Sequence, residues 1–294
     1  MEFRVLQYFL AVAREENISK AAQYLHITQP TLSRQMQELE EELGKQLFIR
    51  GKRRIELTED GIFLRKRAEE IVSLVEKTQL QMMTSDTSMT ADIYIGAGET
   101  KGMRIITKVI SQMQNMYPDV HFHFFSGNAE DVAYKLDHGL LDFGLFLEPV
   151  NMSKYDYIQL PTKDKWGIIV SKNNLLANKE RIEYSDLENV NIICSAQEMV
   201  QNVISNWMDG VNLNIKATYN LIYNASLLVE EGDYCALALD GLIANYDTSN
   251  LKFIPLYPEI EANHYFAWKK YQIFSHPIQI FIELLKEELN KVVQ

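Results

Sequence analysis

Cysteine is scarce in this chain: there are two, Cys194 and Cys235, in no spacing that builds a metal site. They read as buried, reduced thiols serving as small apolar side chains; a redox pair would need the two sulfurs to meet. Long apolar runs are missing too. No stretch approaches the roughly 18 apolar residues that cross a bilayer. The opening Met1-Glu2-Phe3-Arg4 lacks a signal-peptide layout, because Arg4, Gln7 and Arg14 interrupt the apolar positions. A cytoplasmic protein with no membrane partner is expected. There is also no Gly-rich phosphate loop, no nucleophile elbow and no metal-spaced cluster. His121 and His123 alternate along one strand and share a face, but no third metal ligand accompanies them. An enzyme therefore has little to stand on: Asp142 and Glu148 fall near a strand end with nothing evident to pair with them. No cofactor or metal is expected.

What is present is a large apolar fraction, 47% of 294 residues, enough for about two domains with real cores. The net charge of −11 argues against a nucleic-acid partner until its distribution is considered. Residues 1–66 hold 11 Lys/Arg against 10 Asp/Glu, and residues 67–294 hold 18 against 30. Within the first part, Lys45, Arg50, Lys52, Arg53 and Arg54 stand between Gly44 and Ile55 with no acid among them.

Phe3, Leu6, Phe9, Leu10 and Ala13 recur at helical spacing and predict an amphipathic first helix. Ser19 is the expected N-cap of a short second helix, Lys20 to Leu25. His26 and Ile27 form a tight connection. Thr28 then caps a third helix with Pro30 in its first turn, where a missing N–H costs nothing. Leu32, Met36, Leu39 and Leu43 line one face, and Gly44 closes the helix. Two helices joined by so short a turn make a helix-turn-helix. The outer face of the third helix keeps Gln29, Thr31, Ser33, Arg34 and Gln37. Gln can pair with adenine, Arg with guanine, and Ser or Thr with either, while the helix N-terminus favours phosphate. The runs Leu47-Phe48-Ile49 and Ile55-Glu56-Leu57 flank the cationic segment as a two-stranded wing. The candidate DNA contacts are thus Gln29, Pro30, Thr31, Ser33, Arg34 and Gln37 on the helix, with Arg50, Lys52, Arg53 and Arg54 on the wing.

The run SKAAQYLHITQPTLSRQMQELEEELGKQLFIRGKRRIELTEDG resembles the N-terminal signature of the LysR-type transcriptional regulators. Ala21-Ala22, Thr28-Gln29-Pro30, Leu32-Ser33, Leu39-Glu40, Leu43-Gly44, Leu47-Phe48, Arg50, Arg53 and Leu57-Thr58 fall at that family's spacing. Glu59-Asp60-Gly61 departs from it, since the family usually has Ala before the Gly. Acids are welcome at a helix start.

From Thr58 the pattern is helical again. Leu64, Ala68, Ile71, Val75, Thr78 and Met82 form a heptad-like seam of about three heptads, which predicts pairing with a second copy. The alternative is a helix packed on its own chain's core. Thr84 to Asp92 reads as a hinge. Beyond it short strands alternate with helices, which argues for mostly parallel sheets. The resemblance implies the arrangement for the whole chain. A winged helix-turn-helix occupies 1–58, and a linker and dimerisation helix with its hinge occupies 59–88. An α/β effector-binding domain similar to type 2 periplasmic binding proteins occupies 89–294. Its first subdomain would take about 89–160 and 266–294, its second about 161–265, with crossings near Glu148–Pro161 and Pro255–His264. A small-molecule effector would sit between them, at strand C-termini where helix N-termini point inward. The loops at those strand ends offer Glu99, Thr100 and Lys101; Ser126, Gly127 and Asn128; Ser195 and Ala196; and Asp240. Thr100 and Ser195 lead as hydroxyl donors, unless each only caps its own helix. The resemblance further implies double-stranded DNA with a pseudo-palindromic site, a homodimer or homotetramer, and RNA polymerase as partners.

Overall fold

The computed structural model describes residues 1–51, 54–83, 89–148, 150–197, 202, 206–207, 213–242 and 250–293. They form two compact units, Met1–Thr84 and Ser85–Gln294.

In the first unit, α1 (Phe3–Glu15), α2 (Ile18–Tyr24) and α3 (Gln29–Leu43) precede the antiparallel pair β1 (Phe48–Arg50) and β2 (Ile55–Leu57), and α4 (Glu59–Met83) follows. Asn17, not Ser19, caps α2: its side chain accepts from the Lys20 N–H. The helix therefore begins at Ile18, before the expected cap. Thr28 caps α3 as expected, accepting from the Thr31 N–H, and Gly44 ends the helix at φ 62°, a left-handed conformation that favours glycine. Leu32, Met36 and Leu39 are buried with Phe9, Val12 and Ala21-Ala22. The small alanine pair lets α1, α2 and α3 approach, and truncating Met36 there would cost about 2–5 kcal/mol. Leu43 departs from the expected face and is 38% exposed, since α3 outruns the core at its last turn.

The helix α4 corrects the expected seam. Leu64 and Ala68 are buried in the core of their own unit, with Val72 packed against it. Ile71 is outward at 39% exposure and Met82 at 82%, and Val75 is half-buried. Thr78 turns its hydroxyl back to the Leu74 carbonyl at 2.7 Å. Six positions read as one stripe therefore serve two faces. The outward apolar residues of α4 include Ile62 and Phe63, with Ile71 and Leu74 further along.

In the second unit, β3 (Ala91–Ala97), α5 (Met103–Met116), β4 (Val120–Ser126), α6 (Ala129–Asp137) and β5 (Phe143–Leu147) build the first lobe. The strand β6 (Tyr155–Ser171) then runs into the second lobe. That lobe holds β7 (Asn191–Ser195), β8 (Asn214–Tyr219), α7 (Ile222–Glu231), β9 (Cys235–Leu239) and β10 (Leu251–Pro255). β11 (Glu261–Lys269) returns, and α8 (His276–Val293) closes the first lobe. Among the described residues the strand order is β4-β3-β5-β11-β6-β9-β7-β8, with β10 on β6. Pairing is parallel inside each lobe, for β3 with β4 and β5 and for β7 with β8 and β9. It is antiparallel wherever β6 or β11 takes part. The expected mostly parallel sheet is thus interrupted by its own crossings. Those crossings are not loops but the β6/β11 pair itself, whose register shifts between Asn263 and Tyr265. Apolar cores lie against each lobe: Ile106, Val109, Phe281 and Leu285 in the first, and Ile192, Leu237, Ile222 and Val229 in the second.

Candidate nucleic-acid interface and ligand cleft

Burial of Leu32, Met36 and Leu39 turns the opposite side of α3 outward. Gln29, Pro30, Thr31, Arg34 and Gln37 are exposed there, with Ser33 half-buried. In this state the outer side chains pair locally. Thr31 meets the Thr28 hydroxyl at 2.8 Å, Arg34 meets Glu38 at 3.4 Å, and Gln37 donates to Glu41 at 2.9 Å. Exposed pairs of this kind contribute little, so a base edge or phosphate can replace them. Glu40 does something the sequence did not announce. Its Oε1 accepts from the Leu47 and Phe48 N–H groups at 2.7 and 3.1 Å, which ties the wing to the recognition helix. On the wing, Arg54 is exposed and meets Glu56 at 3.0 Å. Lys52, Arg53 and the side chain of Arg50 lie outside the described residues.

Between the lobes of the second unit lies a cavity of about 100 Å³. Its wall includes Glu99, Gly127, Asn128 and Ser195 from the expected set, together with Gln197, Glu148, Phe146, Trp166 and Tyr219. Two contacts span it. The Glu99 carboxylate of the first lobe accepts from the Ile222 N–H at the start of α7, a helix whose own N-cap, Leu221, supplies no side-chain bond. In return, Gln197 of the second lobe accepts from the Ala129 N–H at the start of α6, at 3.1 Å. Each lobe therefore caps a helix of the other, satisfying backbone donors that the helix itself leaves open. Ser195 is buried, and its Oγ supports Gln197 by accepting from its N–H and amide at 3.3 and 3.4 Å. Asn128 caps α6 locally through the Asp131 N–H at 2.8 Å.

Other expected contacts do not face this cavity. Thr100 is 8% exposed. Its hydroxyl donates to Asp164 Oδ2 at 2.6 Å and accepts from His264 Nε2 at 2.8 Å and from the Gly102 N–H at 3.1 Å. It is locked into the β6/β11 crossing rather than presented to a ligand. Lys101 is bound to Asp240 at 2.5 Å, and Asp240 also accepts from the Lys165 N–H at 2.8 Å, so this pair ties the first lobe to the second. Ser126 is exposed at the rim of a wider depression of about 510 Å³ that also borders Thr100 and Lys101. The Ala196 N–H bonds the Tyr219 carbonyl at 2.8 Å. Glu148 is not unpaired: Asn263 Nδ2 and the Tyr265 hydroxyl donate to it at 2.6 and 2.5 Å. The Tyr265 hydroxyl, then Asn263, holds its carboxyl below the usual carboxylate range against the opposing effect of burial. Asp142 accepts from the Tyr94 N–H at 2.9 Å, a structural role. Cys194 and Cys235 are free and buried. Burial raises the Cys194 thiol and pushes Cys235 up to about 12, so both stay protonated and unreactive at neutral pH. Among the described residues no group of three or more His, Cys, Asp or Glu could hold a metal, and no helix is long and apolar enough to cross a membrane.

A winged helix-turn-helix in one unit and a two-lobed cleft in the other define a DNA-binding regulator that carries a ligand-binding domain. Residues 3–62 match the bacterial regulatory helix-turn-helix proteins of the lysR family, and residues 88–290 match the LysR substrate binding domain. The chain belongs to the LysR family of transcriptional regulators, and it is not an enzyme. It is 26% identical to the Hca operon transcriptional activator HcaR of Escherichia coli (strain K12) over 99% of each chain. It is 30% identical to the HTH-type transcriptional regulator CysL of Bacillus subtilis (strain 168), over 64% of this chain and 63% of that one. The crystal structure of CbnR, a LysR family transcriptional regulator, has a TM-score of 0.74 at 18% identity, covering 98% of this chain and 99% of that one. CbnR complexed with its target DNA gives 0.73.

Proposed function

We propose that α3 enters a major groove and that Gln29, Thr31, Ser33, Arg34 and Gln37 choose the sequence while Pro30 sets the first turn. Arg50, Lys52, Arg53 and Arg54 anchor the adjacent backbone and set the salt dependence. The observation that carries this reading is the division of α3 into a buried apolar face and an exposed row of base-compatible side chains. The outward apolar residues of α4 pair with a second copy, and two such dimers form a homotetramer. Two-fold symmetry then requires a pseudo-palindromic site. RNA polymerase is the further partner. Arg34→Ala tests the reading head: it should weaken binding by about 1–3 kcal/mol and relax preference at one base pair. Equal weakening on every duplex would overturn the base-reading role.

The small-molecule effector enters the cavity between the lobes. It regulates by favouring one arrangement of the two lobes over another, because equal binding to both would shift nothing. The cross-lobe caps give this a structural handle. A ligand that separates Glu99 from α7 or Gln197 from α6 changes the lobe angle directly. A metabolite found by thermal shift on the full-length protein should alter hydrogen exchange at the Ile222 and Ala129 amides. A stabilising metabolite that leaves both amides unchanged would place the effector elsewhere.

A further inference from the structure

Among the described residues, three charged side chains stand in the wall of the interlobe cavity, and all three are carboxylates: Glu99, Glu130 and Glu148. The lysines of the neighbouring strand and loop are engaged with other acids. Lys101 pairs with Asp240 at 2.5 Å, Lys163 with Glu261 at 2.7 Å, and Lys165 with Glu259 at 2.9 Å. The positive poles that would ordinarily receive an anion, the N-termini of α6 and α7, already carry Gln197 and Glu99. An entering carboxylate would have to displace a carboxylate from α7 while facing two more. An entering ammonium finds acceptors and, among the described residues, no competing cation in the wall. The rest of the wall is largely apolar, with Phe146, Trp166 and Tyr219 among its members. The acids do not define this pocket. The space between the lobes does, in a domain whose residues 88–290 match a substrate-binding domain.

We propose that the cleft takes a ligand carrying an ammonium group on a short apolar body, with Glu148 and Glu99 as its acceptors. This rests on the reading of the cleft as the effector site and gives that site its charge class. Glu148 suits the role because Asn263 and Tyr265 fix it in place and keep it ionised. The size follows from the volume. About 100 Å³ is less than the roughly 150 Å³ that accommodates benzene, so a body of about five carbons enters only as the lobes part.

Three probes of one carbon skeleton test this on the full-length protein at neutral pH: isopentylamine, isopentanol and isovalerate. Thermal unfolding and calorimetric titration should rank them amine, alcohol, acid, with the amine raising the melting temperature at millimolar concentration. Glu148→Gln or Glu99→Gln should weaken the amine about tenfold and isopentanol much less, with far-UV circular dichroism showing that each variant is folded. No shift from the amine, tighter binding of isovalerate, or unchanged amine affinity in both variants would overturn the proposal. Hydrogen exchange separates this from failure of the cleft itself. Isovalerate binding that perturbs the Ile222 and Ala129 amides keeps the effector site and rejects its charge class. Probe binding that leaves both amides untouched rejects both.

Discussion

Thr100→Val distinguishes two roles for one of the two residues, with Ser195, that the sequence favours as ligand contacts. The change keeps shape and removes only the hydroxyl. That hydroxyl holds three partners at once: Asp164, His264 and the Gly102 N–H. Asp164 is fully buried, and its Oδ1 has no hydrogen-bond partner, so losing the bond to Oδ2 falls on a carboxylate already short of donors. A hydrogen bond to a charged group contributes about 1.5–3 kcal/mol, and an orphaned buried N–H costs about 1–3 kcal/mol. Relaxation recovers part of this, because His264 Nε2 stays 3.2 Å from Asp164. The net loss should be about 2–4 kcal/mol, which in a unit of this size lowers the melting temperature by about 4–16 °C. Tryptophan fluorescence isolates the effect, since Trp166, Trp207 and Trp268 all lie in the second unit. A melting temperature within about 1 °C of the parent, with ligand affinity lost, would show that the hydroxyl faces the ligand and that the network reasoning is wrong.

Glu148 predicts acid behaviour. Its folded pKa lies below the usual carboxylate range, so its contribution to stability is complete above that range and fades as pH falls through the lower folded value. Unfolding followed from pH 6 down to 3 should therefore show a shallower loss in Glu148→Gln, and identical slopes would remove Glu148 from the account. Gly61→Ala should destabilise the first unit by about 2 kcal/mol, since a Cβ there would stand 2.2 Å from the Leu47 carbonyl oxygen and overpacking outweighs the gain in helix propensity. Far-UV circular dichroism reads this, with tryptophan fluorescence as the unaffected control; a more stable variant would refute it. Ile71→Asp should dissociate the dimer in sedimentation velocity, and an unchanged coefficient would reject the outward face of α4 as the contact.

The reading head was legible because its signals are local. Thr28, Pro30 and Gly44 act within a turn of themselves, and the spacing of Leu32, Met36 and Leu39 states which face is buried. The errors arise where local signals compete or tertiary contacts intrude. Asn17 and Ser19 are both good caps two residues apart, and nothing short-range chooses between them. In α4, Leu64 and Ala68 share a heptad with Ile71, yet they pack on α1 and its neighbours, from a segment some fifty residues earlier. Periodicity identifies a stripe but not what covers it. Only the second half of the long strand β6 is legible in the sequence, because Tyr155–Lys165 carries charges and a proline and lacks the apolar run of Trp166–Val170.

The cleft was harder for a physical reason. Proximity to a strand end singles out Glu99, Thr100 and Ser195 alike, but the roles of the first two depend on partners 64 to 164 residues away: Asp164 and His264 for Thr100, and the α7 amide of Ile222 for Glu99. Gln197 and Glu148 carry no motif at all. Gln197 matters because an amide oxygen two residues past a strand end reaches the start of α6, and that distance exists only once β6 and β11 have set the two lobes side by side. The same crossing that hides these residues from a linear reading makes them sensitive to ligand. A contact between the lobes is sensitive to the angle between them, whereas a contact inside one lobe is not. On the proposed reading, regulation falls on Glu99 and Gln197, whose bonds span the cavity, rather than on the buried Thr100–Asp164–His264 cluster.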